Sequence, residues 1–251
     1  MNKNNVTQES VNISRRSFVE KSATAAAVFT IAPGVVLNQV HAKPAAEPVT
    51  DAKRWGILID TAKCGSGCND CVTACHEENG IESHGRPLTD QKWIRKIKLK
   101  DNLTNHVVSL PMMCQHCENP PCVDVCPTGA SFKRADGIVL VDRHICIGCR
   151  YCMMACPYKA RSFAHEAVDN KVEFQPRGKG TVESCTMCVH RVDNDGTPAC
   201  VEACSSNDHG AMVFGDLKDP QSEISKQLEK HGGKQIRADL GLNTGVRYRG
   251  I

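Results

Sequence analysis

Residues 146–157 read CIGCRYCMMACP, and the spacing of Cys146, Cys149, Cys152 and Cys156 ahead of Pro157 decides how the chain is organised. Gaps of two, two and three residues separate the four thiols. Three cysteines this close sit on one tight loop and converge on a single small object, whereas the fourth starts a short helix that points at a neighbouring one. Gly148 lies inside the loop, where the backbone comes close to whatever the sulfurs hold and can turn its N–H groups toward it. Reading outward, Cys114, Cys117, Cys122 and Cys126 have gaps of two, four and three, and Pro127 follows. Cys64, Cys68, Cys71 and Cys75, with Gly67 among them, have gaps of three, two and three. In Cys185, Cys188, Cys200 and Cys204 the middle gap widens to eleven. The four groups use all 16 cysteines of the 251-residue chain.

Only 11 residues are aromatic (6 Phe, 3 Tyr and 2 Trp), so hydrophobic burial alone is a thin basis for a stable fold, and metal or covalent cross-links are the expected supplement. The start of the chain reads as an export signal. Residues 14–21 are SRRSFVEK, an apolar stretch covers residues 23–37, and Val40-His41-Ala42 supplies a small-residue cleavage site. That stretch contains Pro33-Gly34 and is shorter than the ~20 residues a membrane-spanning helix needs, so cleavage after Ala42 is expected. The adjacent Arg15-Arg16 point to the twin-arginine route, which carries folded, cofactor-loaded proteins. Removing residues 1–42 takes away four basic and two acidic residues and lowers the formal charge from +3 to +1. Such a balance excludes nucleic acid as an obvious partner.

Against that background the sulfur chemistries separate. Eight disulfides would suit a secreted protein, but a substrate folded in a reducing cytosol has no need of four repeats of one ligand spacing. Structural zinc fits the C-x2-C pairs yet leaves the third close cysteine and the proline unexplained. Attached haem requires C-x-x-C-H, and the nearest approach, Cys71 to Cys75-His76, is one residue too long. Residues 146–157 match the bacterial ferredoxin run C-x2-C-x2-C-x3-C-P without deviation. Iron–sulfur clusters are therefore the reading.

Four groups imply an α+β fold of two bacterial-ferredoxin-like units, each binding two [4Fe–4S] clusters. Groups two and three, close in sequence, make one unit over residues 106–170; groups one and four make the other from residues 43–105 and 171–217. Alternating runs predict short strands at residues 54–60, 92–100, 137–142 and 172–175, and short helices are expected at 70–77 and 151–155. Residues 218–251 are read as one amphipathic helix, with Pro220 at its first position and Gly232-Gly233 stopping it, followed by an arm without a core of its own that offers Leu240, Leu242, Val246 and Tyr248 to a partner. No later run is apolar enough to span a membrane.

Residues 111–163, PMMCQHCENPPCVDVCPTGASF through DRHICIGCRYCMMACPYKARSF, resemble the four-cluster iron–sulfur subunits of polysulfide, tetrathionate and formate-dependent nitrite reductases, and the likeness covers nearly all of the chain after Ala42. The tail LNTGVRYRGI and the self-contained signal look most similar to the DsrO-type exported subunits of sulfite-reduction-associated membrane complexes. The resemblance implies crossed ligation. Cys64, Cys68, Cys71 and Cys204 would hold one cluster; Cys185, Cys188, Cys200 and Cys75 a second; Cys114, Cys117, Cys122 and Cys156 a third; and Cys146, Cys149, Cys152 and Cys126 a fourth. Cysteine at every position implies four [4Fe–4S] clusters. The extra residue between Cys64 and Cys68 departs from the family spacing.

A cubane closed by four thiolates has no open site for substrate, and neither G-x-G-x-x-G opening a helix nor G-x-S-x-G is present, so the expectation is an electron-transfer subunit rather than an enzyme. Arg150, Lys159, Arg161 and Arg191, near ligands, would favour the reduced state of a cluster, and His76, His116, His144 and His190 are read as neighbours rather than ligands. The expected partners are an integral membrane quinone-reactive subunit and a multihaem cytochrome c or other periplasmic redox subunit. The expected location is the periplasm, with attachment to the cytoplasmic membrane through those partners. The alternative is the electron-transfer subunit of a periplasmic molybdopterin oxidoreductase.

Overall fold

The computed structural model describes residues 48–251 apart from 66, 170–171 and 207–209; the segment read as an export signal and the expected cleavage site after Ala42 lie outside the described residues. Strand β1 (Trp55–Asp60) forms where expected but, as the middle of a three-stranded sheet covered on both faces, buries four consecutive residues rather than alternating. β8 (Met212–Asp216) pairs with it antiparallel and β9 (Val246–Arg249) parallel, with Ile57 opposite Val246 and Ile59 opposite Tyr248. Because side chains alternate between faces, these four residues share one side. All are buried and belong to the same core as the cysteines.

The C-terminal arm is thus not a free docking segment. It has a core after all, the chain's own: Val246, Tyr248 and Thr244 are fully buried, the Tyr248 hydroxyl donates to Pro111 O (3.0 Å), and Gln115 Nε2 donates to that hydroxyl (3.1 Å). Two of its glycines, Gly245 and Gly250, serve close approaches. A Cβ at Gly245 would meet the Trp55 carbonyl oxygen at 3.1 Å.

The other face of the sheet is covered by the helix Glu223–His231, with Ile224 fully buried at its first turn. This helix begins later than predicted. Asp219-Pro220 form a turn, the Gln221 N–H donating to Asp219 Oδ1 (2.8 Å), and Ser222 is the cap, its hydroxyl accepting from Ser225 N (3.3 Å). Gly232 ends it at φ +70°, as its position suggested.

Three hairpin-like pairs complete the strand content. β2 (Ile94–Lys100) runs antiparallel to β3 (Val107–Met113), β4 (Ser131–Lys133) to β5 (Val139–Val141), and β6 (Arg161–Phe163) to β7 (Val182–Ser184). The strand expected at 172–175 is instead a turn closed by a single bridge between Val172 and Gln175; four residues with a bend between them have no partner strand to pair with. The helices are short: α1 (Asp70–Glu78), α2 (Pro121–Asp124), α3 (Tyr151–Ala155), α4 (Val189–Val192) and α5 (Ala199–Ser206), with Glu223–His231 as α6. β7 is tied to the end of α1 by a buried clasp. Arg177 pairs with Glu183 (2.8 Å) and reaches the Gly80 carbonyl, while Trp93 Nε1 donates to Glu183 Oε2 (3.2 Å).

Candidate metal centres

Two helices carry cysteines for two sites at once. Cys71 and Cys75 lie one turn apart on α1, and Cys200 and Cys204 one turn apart on α5, so each pair shares a helix face. The helices pack together with Cys71 near Cys204 and Cys75 near Cys200, hence running in opposite senses. Cys64 and Cys68, from the loop after β1, join Cys71 and Cys204 around one cavity, and the extra residue between them does not displace either. Cys185 and Cys188, after β7, come up to Cys75 and Cys200. In the other half, β3 delivers Cys114, which with Cys117, Cys122 on α2 and Cys156 lines a second cavity. Cys152 on α3 faces Cys146 and Cys126. Cys149, on the same loop as Cys146, is exposed.

All sixteen cysteines are free thiols. Among the described residues no group of three or more His, Cys, Asp or Glu side chains converges on a point that could hold one metal ion. Zinc would need four sulfurs at about 2.3 Å from a common centre, so these quartets are too open for it and suit a larger cubane. Their electrostatics call for a positively charged occupant. Burial pushes the thiols of Cys71, Cys117 and Cys185 up to about 12, and those of Cys75, Cys114 and Cys200 well above their ordinary value, with neighbouring thiols adding to the effect. Four such sulfurs cannot ionise together unless a cationic core offsets their repulsion, which is what an iron–sulfur cluster supplies when bound.

The loops between close cysteines share a backbone feature. The residue before the second cysteine is left-handed at His116 (φ 43°), Gly148 (φ 70°) and Met187 (φ 56°). A non-glycine residue there costs about 1–3 kcal/mol and persists only where the surroundings over-determine it. The expectation about Gly148 therefore extends to two residues that gave no compositional sign. Gly148 has a further reason, since a Cβ would come within 2.2 Å of Gly180 O; at Gly67 a Cβ would meet no protein atom within 4 Å.

Polar groups reach several of the cysteine sulfurs. Ser131 N donates to Cys126 (3.3 Å), Met187 N to Cys185 (3.4 Å) and Ala160 N to Cys156 (3.5 Å), the kind of contact that tunes a metal site. Of the four cations singled out in the sequence, Arg161 is buried against Cys122 Sγ (3.1 Å). Arg191 is held by Glu78 and Glu202, and Arg150 stacks 3.9 Å from the centre of the Phe163 ring. Lys96 escaped sequence reasoning: its Nζ donates to Cys64 Sγ (2.7 Å) and Gly65 O (3.1 Å). Strand alternation places Lys96 on a face of β2, but no local signal says which sulfur that face meets. Among the histidines, His116 is buried and neutral, burial lowering it to about 3, and its Nδ1 accepts from Val139 N (3.0 Å); His190 pairs with Glu78 (2.7 Å).

The quartets form a row. Helices α1 and α5 link the first to the second, Cys114 and Cys185 interact between the second and third, and Cys122 and Cys152 between the third and fourth. Cys64 and Cys68 are partly exposed at one end, Cys149 at the other.

The family profile described as "4Fe-4S dicluster domain" matches twice, over residues 61–130 and, in a second version, 105–217. The chain is 40% identical to the Hdr-like menaquinol oxidoreductase iron-sulfur subunit 1 of Archaeoglobus fulgidus, across 94% of this chain and 97% of that one. It is 40% identical to a tetrathionate reductase subunit of Salmonella typhimurium over 79% of this chain and 73% of the relative. With the protein NrfC of Escherichia coli it shares 35% over 91% of both.

Proposed function

Because the chain belongs to the family of iron–sulfur electron-transfer subunits built from two ferredoxin-like 4Fe-4S dicluster domains, we propose that it relays electrons between a quinone-reactive membrane subunit and a periplasmic redox partner. It carries four [4Fe–4S] clusters, which its 16 cysteines and two dicluster domains fit. In this reading the four quartets hold one cluster each with the crossed pairing that the family resemblance implies: Cys64, Cys68, Cys71 and Cys204; Cys185, Cys188, Cys200 and Cys75; Cys114, Cys117, Cys122 and Cys156; Cys146, Cys149, Cys152 and Cys126. Each bound cluster supplies one-electron storage, and the chain's residues space, shield and charge-balance the row.

The observation that carries this reading is that row of neighbouring cysteine groups, with partly or fully exposed thiols at its two ends. Among the described residues no helix is long and apolar enough to cross a membrane, so attachment to the membrane is assigned to a partner, with a multihaem cytochrome c or a comparable subunit on the far side of the relay. Similarity to a menaquinol oxidoreductase subunit along almost the whole chain supports the quinone-linked form. Similarity to a tetrathionate reductase subunit supports a role in sulfur metabolism and favours a second reading, service to a periplasmic molybdopterin oxidoreductase.

Purification of the intact complex from membranes under anaerobic conditions tests the relay. The chain is expected to co-purify with a many-helix membrane subunit, and quinol is expected to reduce its clusters. Co-purification with a molybdopterin subunit alone would install the second reading, and recovery of the chain without partners would overturn both. Location is tested separately. Replacing Arg15-Arg16 with Lys-Lys is expected to leave the uncleaved precursor in the cytoplasm; undiminished periplasmic protein would show export by another route.

A further inference from the structure

Arg161 opens β6 and is 5% exposed. Its Nη2 donates to Cys122 Sγ at 3.1 Å and to Ser131 Oγ at 2.7 Å, while Nε and Nη1 are buried and meet no protein acceptor. Among the described residues no carboxylate forms an ion pair with it. A guanidinium stays charged in proteins and carries five donors in a rigid fork, and burying that charge with most of its donors unsatisfied is unfavourable unless something anionic accepts them. The groups around it that become anionic as thiolates come from two different quartets: Cys122 of the third accepts from Nη2 directly, and Ser131, the other acceptor, donates its backbone N–H to Cys126 Sγ of the fourth at 3.3 Å, with Cys114 and Cys152 close by.

We propose that Arg161 is the shared counter-cation of the third and fourth clusters, raising the reduction potential of both. The inference rests on the ligand pairing proposed above. Adding one electron to either cluster makes an already anionic assembly more negative by one charge; Arg161 neither gains nor loses a proton and stabilises that added charge from a fixed position. Lys96 differs in kind, because it sits at a partly exposed rim, donates to the single thiol of Cys64, and is open to screening by solvent. Sharing one cation has a consequence for flow. The third and fourth potentials rise in the same direction, so the pair becomes easier to reduce, relative to the second cluster behind it, than it would be without Arg161.

The test is an electron paramagnetic resonance redox titration of the anaerobically purified holoprotein, comparing wild type with Arg161→Gln and Arg161→Lys. Arg161→Gln is expected to lower two of the four midpoint potentials, those of the centres that Cys122→Ser and Cys152→Ser also alter, and to leave the other two in place. Arg161→Lys, which keeps the charge and loses the fork, is expected to stay nearer wild type. Four unchanged potentials, or a shift in only one centre, would overturn the shared role while leaving the four-cluster reading intact. Wild-type protein lacking about sixteen iron atoms would instead remove the reading beneath it. If Arg161→Gln does not assemble, wild type grown with isotope-labelled arginine decides the matter: hyperfine coupling of guanidinium nitrogen to two reduced centres is expected, and coupling to none or one would sink the proposal.

Discussion

Cys156→Ser is expected to cost the protein the cluster of Cys114, Cys117 and Cys122 and to spare that of Cys146, Cys149 and Cys152, although Cys156 is the neighbour in sequence of the latter three. The reason is directional. Cys152 lies on α3 and faces Cys146 and Cys126, whereas Cys156 follows the end of that helix in extended conformation (φ −74°, ψ 112°) and turns its sulfur into the cavity of the other quartet. There it accepts a hydrogen bond from Ala160 N at 3.5 Å and is 7% exposed, so solvent has little access to take its place. A serine hydroxyl is a far poorer partner for iron than a thiolate. Iron content should fall by about one quarter if the whole cluster is lost. The spectrum of Cys156→Ser should match that of Cys114→Ser and differ from that of Cys146→Ser. A match with Cys146→Ser would mean that each group holds its own cluster, and crossed ligation would be wrong.

Removal of residues 234–251 is expected to abolish folding rather than to detach the protein from a partner. The deletion takes away β9, including Val246 and Tyr248, each fully buried. Full burial of one such side chain contributes about 1.5–3 kcal/mol. It also removes the carbonyls of Gly245, Arg249 and Leu242, which accept from Ile57 N (3.1 Å), Thr61 N (3.0 Å) and Glu118 N (3.0 Å). Bonds of this kind are worth about 0.5–1.5 kcal/mol each, and more when a buried partner is left unpaired. The sum is comparable with the whole stability of an ordinary domain, about 5–15 kcal/mol. The tail also brackets the third quartet, because Gly245 N donates to Gln115 O (2.8 Å) and Thr244 bridges Cys117. The shortened chain should therefore be recovered as aggregate, or as soluble protein with depleted iron and no cooperative melting transition. Soluble truncated protein with undiminished iron and a sharp melt would show that β9 is dispensable.

Local features were legible in the sequence. RWGILID announced β1, the Asp70 and Tyr151 helices fell where they were expected, and all sixteen cysteines were grouped by their gaps alone, but Cys156, expected to start a helix, follows one in extended conformation because its sulfur turns to the other quartet. Each of these is a constraint between residues a few positions apart, which a chain has to write into consecutive letters. The strand assigned to 172–175 failed because alternation over four residues says nothing of whether a partner strand is present.

The short spacing of the cysteines by itself determined that this is an iron–sulfur protein with four groups of four cysteines. Only the tertiary structure decided that the last residues close the first strand's sheet, that Lys96 on a hairpin meets Cys64, and that one buried arginine faces two quartets. Those contacts join positions tens to nearly two hundred residues apart. They are selected by the summed burial and hydrogen bonding of the whole fold, and no short stretch of sequence carries enough of that sum to reveal them.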